Sequence, residues 1–270
     1  MEIKYLEWNL HAMCERGYEI PKFVVSYLRT VDVFVLTELC QKKGWEDFRS
    51  TLESEYDIYC SPYSSKGYNQ VCIGLRKSLK YKLISIITQD ICNVDIPEFL
   101  QVNILIGEIK LNIIGVRVKT ENSNKDKQYE FLKSYLQTID APFLCLGDFN
   151  CTCGTLATKL NCDNSMELRE KTNSFCVFGP RIANGYFSFV FEENENYDNN
   201  KQGLDWVIAS EKITVENNYP DKKQSPKATY DWSFVTDHNG YVGKTKDDHL
   251  NIKGLPDHAI LKGMFKIDKE

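Results

Sequence analysis

Short apolar runs of strand length, several of them stopping at an acid or an amide, constrain the fold of this chain more than any other feature. VFVLTEL (Val33 to Leu39) and LCLGDFN (Leu144 to Asn150) are the clearest cases. Each is too short for a buried helix and too apolar for a half-exposed strand, so each reads as a buried strand. IKYLEWNL (Ile3 to Leu10) alternates apolar and polar residues as a strand with one covered face does. Further strands are expected at Tyr56 to Tyr63, Val71 to Arg76, Tyr81 to Thr88, Tyr186 to Phe191, Leu204 to Ser210 and His258 to Phe265. LQVNILIGEIKLNIIGVRVK, with a Gly near its middle, predicts an antiparallel hairpin over Leu100 to Lys119.

Helical spacing appears between these runs. Pro21 opens a stretch that places Phe23, Val24, Tyr27 and Leu28 on one face. A second helix is expected from Trp45 to Leu52, and Tyr129, Leu132, Leu136 and Ile139 recur along a third. Hairpins together with helical crossovers predict mixed sheets covered by helices. The Asn- and Glu-rich stretch Glu192 to Gln202 and the polar region Asp221 to Lys253 read as loops. No linker, repeat or shift in composition divides the 270 residues, so one domain over 1–270 is the economical organisation.

Of the residues, 42% are hydrophobic and 26% charged, the balance of an ordinary globular protein. A formal net charge of -5 leaves no general attraction for a polyanion, so nucleic acid would need a local basic patch or a bound cation. The amino-terminal residues are too polar for a signal peptide, and no run is long enough to span a bilayer. The expectation is a cytoplasmic protein without a membrane partner or an obligate protein partner. Ten Cys raise the question of disulfides or zinc. Cys72 and Cys145 lie inside apolar runs, where a thiol packs as a small hydrophobe. Cys151 and Cys153, with Cys162 and Cys176, lack a second paired knuckle.

The polar residues at the strand ends carry the functional signal. Asn9 closes the first strand, Glu38 the second, and Asp148 and Asn150 the middle one, while Asp205 opens LDWVIAS and Asp257-His258 precede AILKGMF. Any one of these could be a cap or a turn. Together they place acids, amides and an imidazole where strand ends border a crevice.

WNL, TEL, GDFN, LDWVI and PDH, in this order and spacing, resemble the endonuclease/exonuclease/phosphatase superfamily over nearly the whole chain. The resemblance implies the DNase I-like architecture, an α/β four-layer sandwich of two mixed β-sheets packed face to face and flanked by helices. It also implies metal-dependent cleavage of phosphate esters. Carried over, Glu38 and Asp257 would hold the metal with Asn9 beside them. Asp148 would activate the attacking water, and Asn150 would hold a phosphate oxygen or the nucleophile. His258 would donate to a non-bridging phosphate oxygen, and Asp205 would fix its tautomer.

The physical expectation points the same way. Converging carboxylates about 4 Å apart repel by about 4 kcal/mol per pair at an effective dielectric of about 20. A divalent cation relieves that, and an all-oxygen set suits Mg²⁺ or Mn²⁺. Asp237-His238 and Asp248-His249 lack an apolar strand behind them and read as loop residues. Two positions depart from the family pattern. Arg117 stands where a His or Tyr is usual; it can clamp phosphate but cannot act as a general acid. His11 stands where a carboxylate is frequent, and could touch substrate.

Basic residues available to track a nucleic acid are scattered: Lys66, Arg76, Lys77, Lys119, Arg169, Lys171 and Arg181, with Tyr63, Tyr68, Phe175 and Tyr186 as stacking candidates. SPYSSKGYNQ (Ser61 to Gln70) is a plausible substrate-contacting loop. The leading expectation is a nuclease hydrolysing phosphodiester bonds by in-line attack of water. The alternatives are the same chemistry on a nucleotide or inositol phosphate, or a non-catalytic binding protein on the same fold.

Overall fold

The computed structural model describes residues 1–13, 20, 22–42, 44–63, 69–90, 92–120, 124–161, 175–178, 204–216, 229–231, 256 and 258–267. Its first sheet contains β1 (Glu2–Met13), β2 (Val33–Leu39), β3 (Tyr56–Cys60), β4 (Gln70–Arg76), β11 (Ile213–Glu216), β12 (Thr229–Asp231) and β13 (Ile260–Ile267). The strands run in the order β11-β13-β1-β2-β4-β3, with β12 also paired to β13. The second sheet contains β5 (Lys82–Thr88), β6 (Glu98–Ile106), β7 (Ile109–Arg117), β8 (Phe143–Asp148), β9 (Phe175–Phe178) and β10 (Asp205–Ser210), in the order β5-β6-β7-β8-β10-β9. Each sheet holds one parallel pair, β1 with β2 and β7 with β8, and its other pairings are antiparallel.

The parallel pairs need crossovers, and helices supply them. Helix α1 (Lys22–Leu28) joins β1 to β2, and α3 (Lys125–Gln137) joins β7 to β8; α2 (Trp45–Leu52) follows β2 and α4 (Cys153–Leu160) follows β8. Asn124 caps α3, its side chain accepting from Lys127 N, and Thr152 caps α4 in the same way. The hairpin between β6 and β7 turns at Gly107, whose φ of 61° suits glycine.

Strand alternation sorts the apolar residues into three cores, which makes the molecule four layers deep. Ile3, Val33, Val35 and Ile73 of the first sheet meet Leu100, Val102, Ile113, Leu144 and Leu146 of the second. The opposite face of the first sheet, with Leu6, Trp8, Phe34 and Leu36, packs on α1 and α2. The outer face of the second sheet, with Ile114, Val116 and Cys145, packs on α3 and α4. Burying each of these large apolar side chains contributes about 1.5–3 kcal/mol. β7 and β8 approach so closely at Gly147 that a Cβ there would lie 1.8 Å from the Val116 carbonyl oxygen.

The architecture is the expected one, and most strand and helix bounds agree within two residues. The differences are specific. β3 ends at Cys60 rather than Tyr63. The short strands β9, β11 and β12 and helix α4 went unread, and β12 lies inside the region expected to be loop. The strand expected at Tyr186 to Phe191, the stretch Glu192 to Gln202, and His238 and His249 lie outside the described residues.

Candidate active site

The site lies where the inter-sheet core turns polar at one edge of the sandwich. In the second sheet the register sets Glu98 opposite Arg117, Arg117 opposite Asp148, and Asp148 opposite Asp205. Directly paired residues share a face, so these four side chains form one row across β6, β7, β8 and β10. The row has the same parity as Leu100, Ile113, Leu146 and Val207, so it continues the core between the sheets. A register slip of one residue in any strand would turn its member of the row towards the helices.

The first sheet supplies the facing wall. Glu7 and Asn9 follow Ile3 and Tyr5 on the inner face, and Asn9 pairs with Thr37 across β1 and β2. Glu38 breaks the alternation: with Phe34 and Leu36 facing the helices, an extended residue 38 would face them too. Its φ of 51° re-aims the chain at the end of β2. His11 and Asn150 also take positive φ, at 52° and 50°. Such backbone costs on the order of 1–3 kcal/mol for a non-glycine residue and persists where surrounding bonds hold it. Here they do: His11 N donates to Asn9 Oδ1 at 2.9 Å, and Asn150 N donates to Asp148 Oδ1 at 2.9 Å.

Asp148 is the hub. It is buried, and its Oδ2 accepts from Asn9 Nδ2 and Asn150 Nδ2, both at 3.0 Å. Asn150 Nδ2 also donates to Val118 O at 2.8 Å. The turn behind it is pinned by Phe149 N to Leu204 O and by Tyr129 OH to Phe149 O. Burial pushes Asp148 up to about 7; Asp205 and Glu38 add to the rise, and His258 and Arg117 oppose it. Across the row, His258 Nδ1 donates to Asp205 Oδ2 at 2.8 Å, with both side chains buried. That bond holds a proton on Nδ1 and fixes the orientation of the ring. His258 is held in place through its carbonyl, which accepts from Trp8 Nε1 at 3.0 Å. One ligand atom each of Asp148, Asp205 and His258 falls within 4.8 Å of the others.

The other half of the site is an ion cluster. Arg117 is not an outward-facing strand residue: its side chain is 13% exposed and is surrounded by carboxylates. Nε donates to Glu38 Oε1 at 2.8 Å and Nη2 meets the same oxygen, while Nη1 lies 3.4 Å from Glu98 Oε1 and Nε 3.9 Å from Asp148 Oδ2. Burial works against the guanidinium charge, but Glu38, Glu98 and Asp148 outweigh it and hold Arg117 firmly charged. Glu98 is pushed up to about 8, first by burial, against the pull of Arg117.

Two carboxyls in this region were missed from the sequence. Glu7 is fully buried, its Oε1 accepting from Thr37 Oγ1 at 3.2 Å, and burial raises it well above the usual range, with Asp205 and Asp148 adding to the rise. Glu7 Oε2 and Glu98 Oε2 are buried without a hydrogen-bond partner. Parity would have found both. Glu7 continues the Ile3, Tyr5 face, and Glu98 stands two residues before the inward Leu100. Asp257 lies outside the described residues, as do Lys66, Tyr68, Arg169, Lys171, Arg181 and Tyr186. Arg76 and Lys77 belong to the opposite end of the first sheet, where Arg76 donates to Val31 O and Lys77 to Glu53 O.

The donor set fits a hard divalent cation. Both Arg117 contacts to Glu38 fall on Oε1, which leaves Oε2 for a ligand, and the neighbouring donors of Asn9 and Asp148 are oxygen or amide groups rather than thiols.

Residues 8–238 match the model of the Endonuclease/Exonuclease/phosphatase family. The chain belongs to this family. Among curated proteins, no sequence matches it. Solved structures share its fold at low identity. D. rerio TDP2 complexed with single strand DNA product is 16% identical, with a TM-score of 0.59 over 98% of this chain and 99% of that one. ANGEL2, a 2',3'-cyclic phosphatase, in complex with adenosine-2',3'-vanadate is 11% identical, with a TM-score of 0.62 over 100% and 96%. The human Nocturnin catalytic domain with bound sulfate anion is 13% identical, with a TM-score of 0.59 over 99% and 95%. Among the described residues, no helix is long and apolar enough to cross a membrane.

Proposed function

We propose that this family member is a divalent-metal-dependent phosphoesterase that hydrolyses phosphodiester bonds in nucleic acid. The observation that carries the reading is the Asp148, Asp205 and His258 cluster, a carboxylate poised near neutrality beside a carboxylate-held imidazole. A base works best when its pKa lies near the working pH, and burial has moved Asp148 there. Asp148 takes the proton of the attacking water. Asn9 and Asn150, both bonded to Asp148, orient it and flank the nucleophile. His258 presents Nε2 to a non-bridging phosphate oxygen, and Asp205 stabilises the imidazolium as charge develops on the phosphorus oxygens.

Glu38, with Asn9 beside it and Asp257 from the segment before His258, would hold Mg²⁺ or Mn²⁺, which when bound supplies Lewis acidity and positions the phosphate. Arg117 fixes Glu38 and keeps a positive charge beside the reacting group, so its contribution to phosphate binding is electrostatic. His11, at the mouth of β1, contacts substrate. Support for nucleic acid over another phosphate ester comes from a structural relative that holds a single strand DNA product.

The test is a substrate panel of single- and double-stranded DNA, RNA, 2',3'-cyclic nucleotides and inositol phosphates with Mg²⁺ or Mn²⁺. Cation-dependent cleavage of a nucleic acid is the expected result. Turnover confined to nucleotides or inositol phosphates would move the protein to small phosphorylated substrates, and no turnover at all would mark a binding protein on this fold.

A further inference from the structure

Two thiols face each other across β3 and β4, the last two strands of the first sheet. Cys60 ends β3 and Cys72 lies in β4, directly opposite it in the antiparallel register. Both side chains are on the helix side of the sheet, Cys72 buried and Cys60 partly exposed, and Cys60 adds to the rise that burial imposes on the Cys72 thiol.

The kind of pairing decides whether a bond can close. Ser61 N donates to Val71 O at 2.9 Å, so Ser61 and Val71, the next pair in register, are a hydrogen-bonded pair. Antiparallel pairs alternate, which makes Cys60 and Cys72 a non-hydrogen-bonded pair with Cα atoms about 4.5 Å apart. That lies within the range of about 4.4–6.8 Å that disulfides span, so a bond can form with little backbone movement.

The position matters beyond the strands. Gln70, two residues before Cys72, is buried; its Nε2 donates to Ser61 O at 2.6 Å and its Oε1 accepts from Gln41 N at 2.9 Å. Gln41 follows Glu38 and Cys40 at the end of β2. The paired ends of β3 and β4 therefore brace the turn that carries Glu38.

We propose that Cys60 and Cys72 form a reversible cross-strand disulfide, a modification site that locks this brace in response to a low-molecular-weight disulfide such as oxidised glutathione. The more exposed Cys60 thiolate attacks a glutathione sulfur, and one glutathione thiolate leaves. Cys72 then attacks the Cys60 sulfur of the mixed disulfide, and its proton goes to the departing second glutathione. Two protein thiols are oxidised and one glutathione disulfide is reduced to two thiols. Burial raises the Cys72 thiol well above its usual value, which makes it the resolving rather than the attacking group.

The test uses the full chain, reduced, then incubated with oxidised glutathione. Denatured thiol titration is expected to show two of the ten thiols lost, and non-reducing peptide mapping to join Cys60 to Cys72. Dithiothreitol should restore all ten. The oxidised protein should melt about 5 °C higher, since the bond restrains the unfolded chain. Cys60→Ser should lose no thiol pair, and Cys40→Ala should still form the bond. A link from Cys72 to Cys40, glutathione retained on Cys60 without an internal bond, or no thiol lost would each overturn the proposal.

Discussion

The two halves of the candidate site contrast sharply although each joins two neighbours from one row of the second sheet to one residue of the first. On one side the His258 imidazole is bonded to the Asp205 carboxylate, beside an Asp148 that burial pushes up to about 7. On the other, Arg117 is paired with the Glu38 carboxylate and also reaches Glu98, whose carboxyl burial pushes up to about 8. The difference teaches that the same register can build a proton-transfer group and a charge-balancing group side by side. What separates them is a single cation: Arg117 neutralises its neighbours, whereas beyond it the carboxylates depend on burial, amides and an imidazole.

Removing the chemical groups of the first half should have the largest effect. His258→Ala and Asp148→Asn are each expected to lower kcat/KM by about 10²–10⁴-fold, measured on whichever substrate the panel identifies. Asp148→Asn should also keep the melting temperature near that of the parent at pH 8, because losing a buried carboxylate that is costly to ionise there offsets the loss of one acceptor oxygen for Asn9 and Asn150. A melting temperature well below the parent's would mean that Asp148 acts mainly as a structural group.

Arg117→Ala comes next. It leaves the Glu38 carboxylate without its cation, and removing one partner of a buried ion pair costs about 3–5 kcal/mol. The melting temperature should fall accordingly and should be partly recovered by Mn²⁺, which can replace the missing charge. A variant that melts like the parent would dissolve the distinction between the halves.

Asn9→Ala removes one hydrogen bond to the Asp148 carboxylate. A bond to a charged group is worth about 1.5–3 kcal/mol, so kcat/KM should fall about 10–100-fold with little change in substrate affinity.

The smallest effect is a pH slope. The folded Glu98 keeps its proton up to about pH 8, while its unfolded counterpart gives it up near the ordinary glutamate value of 4.5. Between these limits the native state binds more protons than the unfolded one, so stability falls as pH rises through that window. Glu98→Gln should flatten the fall in melts taken from pH 5 to pH 8. An unchanged slope would assign it to Glu7 and Asp148 instead.

Much of this was legible in the residues. VFVLTEL became β2 with the bounds it was read with, and the strand ends at Asn9, Glu38, Asp148, Asp205 and His258 do meet at one edge of the sandwich. Strand-end polarity is a local signal, and a short window carries it. Glu7 and Glu98 were not read because each sits inside or at the start of a strand, where only the parity of its apolar neighbours shows that it points inward. The partners of Arg117 are set by register across three strands, which no local pattern contains. β11 and β12 are short strands closed by pairing with β13, so tertiary contact rather than local preference makes them.

The most direct test of the account is single-turnover cleavage by the parent and by Asp148→Asn, each with Mn²⁺ and again after chelation, with melting curves on the same samples. The account predicts cleavage by the parent with Mn²⁺ alone, at least a hundredfold slower cleavage by Asp148→Asn, and none after chelation, while both proteins stay folded. Cleavage that survives both the substitution and the chelator would contradict it.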